Sequence, residues 1–439
     1  MREQTSRSGY FSVLFVTLHD MKKKIIALLA FLAAFSAINA QESIVDTTII
    51  HRTVMDMRLV RLNYVYTSVG PDGVTPTTLS GAIVMRYSIF TKENHANGLI
   101  IYNHPTTTLK YRCPSHDDDL DAEAAICFTH KYIMVAVDNY GFGITEDKPQ
   151  AYLNPDITAQ GAVDGLLAAK RLLGRMGYYY EDRLLNMGYS QGGHTAMAVQ
   201  RLVDTKYSDR LKIMHTYAGG GPYDMMGIYD EMKKTNVTYY PCALPLILSG
   251  INETEKLGLK PHDMFTGALA DNYEEWILSK EYSSTEINDM IINSVSKDDI
   301  VPGDPRDGVR LTAIINPDIM DERTPIGRKM KTLFKKNSLL GTWKPNPRTL
   351  VYLFHSRADE VVPVLCTRRM ADFMSDEGVE VKTEYLNDWP HTPAASYFFS
   401  QVALQMVRDT NKATLIEDVT DDVINVLDSL FHGVSKLLR

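Results

Sequence analysis

Long apolar runs, basic tracts and cysteines are all scarce in this chain of 439 residues. Beyond residues 25–35 no stretch approaches the roughly 18 uninterrupted apolar residues of a membrane-spanning helix, so no stable transmembrane segment is expected in the body of the protein. Lys and Arg do not run together among aromatics, and the formal net charge of -8 offers nothing to a phosphate backbone. Nucleic acid is therefore not an expected partner. The cysteines, Cys113, Cys127, Cys242 and Cys366, allow three complete pairings among which the sequence does not choose. Cys113 with Cys127 would close the shortest loop; buried free thiols are the alternative, because Cys packs as a small hydrophobe. Internal repeats and low-complexity segments are missing too. What is present is a globular composition, 44% hydrophobic and 23% charged, with ample material for a large core.

At the N-terminus Lys22, Lys23 and Lys24 precede the apolar run 25–35, and small residues follow from Ser36 to Ala40. That order reads as a signal peptide over 21–40, cleaved after Ala40, with an uncleaved anchor as the alternative. Met21 stands directly before the lysines and is the expected translation start, which makes 1–20 a start-site artefact. A secreted or periplasmic location follows from this reading.

The mature chain opens with alternating stretches, Met57 to Ser68 and Leu79 to Tyr87, joined through Gly70-Pro71-Asp72-Gly73, which predicts two antiparallel strands. Short apolar runs at Gly98 to Asn103, Tyr132 to Asp138, Leu184 to Gly188 and Ile213 to Ala218 then alternate with helical periodicity at Ile157 to Leu173 and Gly192 to Leu202. Such alternation predicts an α/β fold with a mostly parallel central sheet flanked by helices. Strand signals cease between about Pro222 and Pro345 and return at Thr349 to Phe354 and Val379 to Leu386. So long a gap is not a plain loop. Helix-like stretches at Tyr223 to Lys233, Asp263 to Ser279 and Thr285 to Ser294 make 222–345 a helical cap inserted after the sixth strand, between core segments 41–221 and 346–410. Residues 411–439 are expected to form an amphipathic helix whose apolar stripe docks on the body, with membrane or partner contact as the alternative.

Gly188-Tyr189-Ser190-Gln191-Gly192 fits G-x-S-x-G, and it closes a predicted strand and opens a predicted helix, the setting of a nucleophile elbow. A serine hydroxyl needs a base to take its proton, and the base needs an acid to fix its tautomer. His391, in the turn-rich link from Asn387 to Pro393, is the candidate base. Asp359, following the strand at Thr349 to Phe354, is the candidate acid, with Glu360 and Asp388 as rivals. An oxyanion needs backbone N–H donors: Gln191 supplies one, and because Pro105 has none, Thr106 is the second candidate with Thr107 in reserve. His104 is read as a loop-shaping residue. Carboxylates near Pro114 to Asp119 are explained by a helix start, so neither a metal nor a cofactor is expected.

Taken in order, Tyr102-Asn103-His104-Pro105-Thr106-Thr107, Asp138-Asn139-Tyr140-Gly141-Phe142-Gly143, Gly188 to Gly193 and Ala218-Gly219-Gly220-Gly221-Pro222 resemble the α/β-hydrolase family that includes the fungal secretory lipases and their bacterial relatives. The resemblance spans roughly Leu79 to Met406. It implies a helical insertion after the Ala-Gly-Gly segment that acts as a lid or acyl-binding wall. Where that family commonly has His-Gly, this chain has His104-Pro105. The resulting expectation is an exported serine hydrolase that cleaves small-molecule or lipid-like carboxylic esters. Aromatics of the cap, Tyr239, Tyr240, Phe265, Tyr273 and Trp276, would suit an acyl pocket or a core. The alternative is an exported serine peptidase, with Glu274 and Glu275 gripping a substrate ammonium.

Overall fold

Strands buried at every position, such as Leu99–Asn103 and Ile133–Val137, must be covered on both faces, because successive side chains point to opposite sides of a sheet. The computed structural model, which describes residues 42–52, 57–116, 125–126 and 129–410, covers them. The segment 21–40 read as a signal peptide, Cys127, Asp117 to Asp119 and the tail 411–439 lie outside the described residues. Among the described residues nine strands form the main sheet: β1 (Ser43–Arg52), β2 (Met57–Val69), β3 (Pro76–Arg86), β4 (Leu99–Asn103), β5 (Ile133–Val137), β6 (Leu184–Tyr189), β7 (His215–Gly219), β11 (Leu350–Ser356) and β12 (Glu380–Leu386), in the order β1-β2-β3-β5-β4-β6-β7-β11-β12. The first three strands and the β3–β5 pair are antiparallel. From β5 to β12 every pair is parallel.

The two faces carry different cores. Leu99, Ile101, Val135 and Val137 pack with α1 (Pro155–Arg175) and α2 (Gln191–Leu202), whereas Ile100, Tyr102, Met134 and Ala136 pack toward Phe398 and Val402 of the last helix. Each fully buried Leu, Ile, Val or Met among them contributes about 1.5–3 kcal/mol of transfer free energy. Helix α1 starts where the sequence caps it: Asn154 accepts from the N–H groups of Asp156 and Ile157, and Pro155 occupies the first turn. Tyr64 and Tyr66 of β2 tie it down by donating to the carbonyls of Gly165 and Gly161, both at 3.0 Å.

Between β7 and β11 the chain builds α3 (Met225–Thr235), α4 (Ala243–Thr254), α5 (Ser284–Ser294) and α6 (Pro325–Lys336), which share an apolar cluster of their own. Three short strands, β8 (Val237–Thr238), β9 (Ile300–Val301) and β10 (Gly308–Arg310), form a second sheet there, so the segment is not purely helical. The helix read over Asp263 to Ser279 is broken into short turns at Pro261–Met264, Gly267–Asp271 and Glu274–Leu278. Thr266 is extended and Gly267 takes φ 55°, which a continuing helix does not tolerate. The chain then closes with α7 (Leu365–Asp376) and α8 (His391–Thr410). Because β1 precedes the two strands read from the sequence, the insertion follows the seventh strand of the chain, the one counted sixth from the sequence pattern.

Candidate active site

Strand β4 has β5 on one side and β6 on the other, so the chain leaves β4 in one direction and returns past it to β6. At such a switch point the loops beyond the carboxyl ends of neighbouring strands diverge and leave a crevice. The loop after β4 carries His104 to Thr108, and the turn after β6 carries Ser190. Asp359 follows β11, and His391 follows β12 at the start of α8.

Ser190 sits at φ 57° and ψ -121°, a conformation that side chains other than Gly seldom adopt. The strain is held by its surroundings: the Ser190 N–H donates to the Gly219 carbonyl at 2.8 Å, and the His194 N–H to the Ser190 carbonyl at 3.1 Å. Glycines flank it for a steric reason. A Cβ at Gly188 would collide with the Gly192 carbonyl, and one at Gly192 with the Asn103 carbonyl. That second approach presses the end of β4 against the elbow and brings Thr106 to the same crevice.

Ser190 Oγ lies 2.8 Å from His391 Nε2, and His391 Nδ1 lies 2.6 Å from Asp359 Oδ2. A carboxylate only accepts, so Nδ1 carries the proton and Nε2 is left as the acceptor for the serine hydroxyl. The Asp359 side chain is fully buried, and its other oxygen accepts from the N–H groups of Val361 and Val362 at 2.9 and 2.8 Å. Burial by itself would raise the Asp359 carboxyl, yet His391 and His355 beside it hold it well below the usual carboxylate range. Burial works against a charged His391, but Asp359, and after it Glu360, lift the imidazole above its ordinary value.

The rivals for the acid separate by place. Glu360 Oε2 accepts from the His391 backbone N–H at 2.9 Å and so fixes the loop, while Asp388 is exposed. His104 is tied by Nδ1 to its own loop at the Pro105 carbonyl, 2.8 Å, and by Nε2 to Asn139 at 2.8 Å. Thr106 and Gln191 both line the cavity that contains Ser190, Asp359 and His391. Among the described residues no acceptor takes either of their backbone N–H groups.

Three contributors escaped the sequence reading. Tyr189, the residue before Ser190, donates its hydroxyl to the His391 carbonyl at 2.8 Å. His355, near the end of β11, points Nε2 at the Val362 carbonyl, 2.9 Å, and at Asp359 Oδ2, 3.3 Å. Tyr152 reaches Thr106 Oγ1 at 2.8 Å. Their partners lie far along the chain, so no local spacing signals them, although a His four residues before the acid was a readable hint for His355.

The cavity measures about 930 Å³, the upper range of small-molecule sites. Its floor is the sheet edge, and its walls come from the inserted segment, including Ile228, Met232, Tyr239, Tyr240, Leu244 and Ile247. Phe265 and Tyr273 stack on each other inside the cap cluster instead, 5.3 Å apart. Glu274 and Glu275 are exposed and do not line the cavity; the acids that do are Glu231, Asp304, Asp359 and Glu360. Among the described residues no cluster of metal-binding side chains occurs.

The sequence model of the secretory lipase family matches residues 147–409. Among solved structures the chain is similar to the rice cell wall degrading esterase LipA from Xanthomonas oryzae, at 19% identity over 84% of this chain and 97% of that one, with a TM-score of 0.68. It is also similar to Candida antarctica lipase A in its closed state, at 13% identity over 88% and 90% of the two chains, with a TM-score of 0.62. No curated protein sequence matches it. These structural likenesses establish the α/β-hydrolase fold.

Proposed function

Because the chain belongs to the secretory lipase family, we propose that it is an exported carboxylic ester hydrolase that works through a Ser190 acyl-enzyme. The observation that carries this reading is the unbroken hydrogen-bonded line from Ser190 Oγ through His391 to the buried Asp359. Ser190 Oγ attacks the ester carbonyl carbon while His391 Nε2 takes its proton. The N–H groups of Gln191 and Thr106 receive the charge that develops on the carbonyl oxygen. Collapse of the tetrahedral intermediate expels the alcohol, which collects the proton from His391. Water, deprotonated by the same imidazole, then releases the acid and restores Ser190. Asp359 holds the imidazole in the required tautomer throughout.

The apolar cap wall favours an acyl chain over a charged substrate. An ammonium grip by Glu274 and Glu275 has no support from their exposed positions outside the cavity. Secretion accords with the family and with the signal-like segment 21–40. Among the described residues no helix is long and apolar enough to cross a membrane.

Rates on p-nitrophenyl acetate, butyrate and palmitate, beside aminoacyl p-nitroanilides, test the proposal in the parent and in Ser190→Ala. The expected result is ester turnover that the substitution abolishes, with little anilide cleavage. Anilide cleavage without ester turnover would replace the esterase with a peptidase.

A further inference from the structure

Tyr152 and Thr106 share a hydrogen bond between two hydroxyls, 2.8 Å apart, at the wall of the cavity that holds Ser190. Either oxygen is able to donate in isolation, so the surroundings decide. Tyr152 is only 5% exposed, and Thr106 Oγ1 is its one hydrogen-bond partner among the described residues. A buried phenolic proton must be used, and a phenol is the stronger acid and the better donor of the pair. Tyr152 therefore donates and Thr106 accepts. The Thr106 proton is then left without an acceptor among the described residues, on a half-buried residue that lines the cavity.

We infer that the Thr106 hydroxyl is a third donor to the oxyanion, aimed by Tyr152. The inference rests on the ester-hydrolase reading and extends it: one residue supplies both an N–H and an O–H to the same developing charge. The placement fits. Gly192, two residues beyond the nucleophile, lies against the carbonyls of Asn103 and His104, so the loop that carries Thr106 is packed on the elbow. Pro105 has no N–H to give, so the donors this loop presents begin at Thr106. In this arrangement Tyr152 is a positioning residue, since it touches Thr106 and acts through it.

The experiment compares Thr106→Val, Thr106→Ser, Tyr152→Phe and the Thr106→Val/Tyr152→Phe double variant with the parent and Ser190→Ala, on p-nitrophenyl butyrate. Valine keeps the N–H and the branched shape and removes only the hydroxyl. Single oxyanion donors are worth about 10²–10³ in kcat, and with two N–H groups still in place Thr106→Val is expected to lose about 10- to 100-fold in kcat with KM nearly unchanged. Thr106→Ser should recover most of that loss, which a packing role for the threonine methyl would not. Tyr152→Phe should lose several-fold in the parent background and nothing further in Thr106→Val, because its effect passes through the missing hydroxyl. Full activity of Thr106→Val, or equal losses from Tyr152→Phe in both backgrounds, would overturn the inference while Ser190-dependent turnover left the esterase reading standing. A parent without Ser190-dependent turnover would overturn both.

Discussion

In the proposed reaction each ring nitrogen of His391 has a different task, and the charges around the ring set the pH at which both are performed. Nδ1 must stay protonated toward Asp359, and Nε2 must be free to take the Ser190 proton. The rate therefore falls as pH drops through the His391 pKa, which Asp359 and Glu360 hold above the ordinary imidazole value of about 6.5. Glu360→Gln removes one negative charge and leaves an oxygen for the His391 backbone N–H. The acidic limb of kcat/KM against pH should then shift to lower pH, with the plateau changed by no more than several-fold. A limb that stays in place or moves upward would show that Glu360 does not help set the titration. At this scale the sequence revealed what is locally constrained. Gly188 and Gly192 are read from the motif because the elbow leaves no room for a Cβ at either place. The part Glu360 plays was hidden because its partner is 31 residues away and on another element. The thiols, left open between pairing and free, are free and buried at Cys113, Cys242 and Cys366, and burial pushes each up to about 12.

Among the elements, the join between the inserted segment and the sheet is made by a short stretch after the turn at Glu274–Leu278. Lys280, with φ 55° and almost no exposure, donates to the carbonyls of Glu146 and Lys148 at 2.7 and 2.6 Å. Its own carbonyl accepts from the Lys110 N–H, and the Tyr282 carbonyl accepts from the Thr108 hydroxyl at 2.7 Å. The segment between β7 and β11 is thus stitched to the loop that carries Thr106. Burial pushes the Lys280 ammonium down to about 8. Between that pH and the ordinary lysine value the folded chain binds fewer protons than the unfolded one, so the stability owed to Lys280 rises with pH across this window. Melting temperatures of parent and Lys280→Met should therefore diverge in the parent's favour from about pH 8 to about pH 10. Parallel melting curves would show that Lys280 is not the buried titrating group. Elements with one clean period were legible: α1, α2, β4, β5 and β6 lie close to where the periodicity places them. Helix α4 was not, since Pro245 and an apolar surface on nearly every side disguise it. Helix α6 was missed although Thr324-Pro325 is a readable cap and first turn. Strand β1 was missed because Val45 and Ile49 remain exposed on an edge strand and blur the alternation.

For the molecule as a whole, one cavity between sheet edge and inserted segment gathers the proposed nucleophile, base, acid and oxyanion donors from the ends of four different strands. The order Ser190, Asp359, His391 along the chain was legible because each follows a strand of a parallel sheet, and such a sheet presents all its carboxyl ends on one edge. The shape of the cavity was not, because it depends on how α3, α4 and the β8–β10 region fold over that edge, and aromatic residues of the same pattern divide between wall and core. Tyr239 and Tyr240 went to the wall, Phe265 and Tyr273 to the core. If Ser190, alone among the serines of the chain, is activated for nucleophilic attack, a fluorophosphonate ester will find it in the folded protein. Treatment with that reagent, followed by intact mass and peptide mapping, should give a single adduct per chain on the peptide containing Ser190, with ester turnover lost in parallel and no adduct in Ser190→Ala. An unmodified chain, or an adduct at another serine, would contradict it.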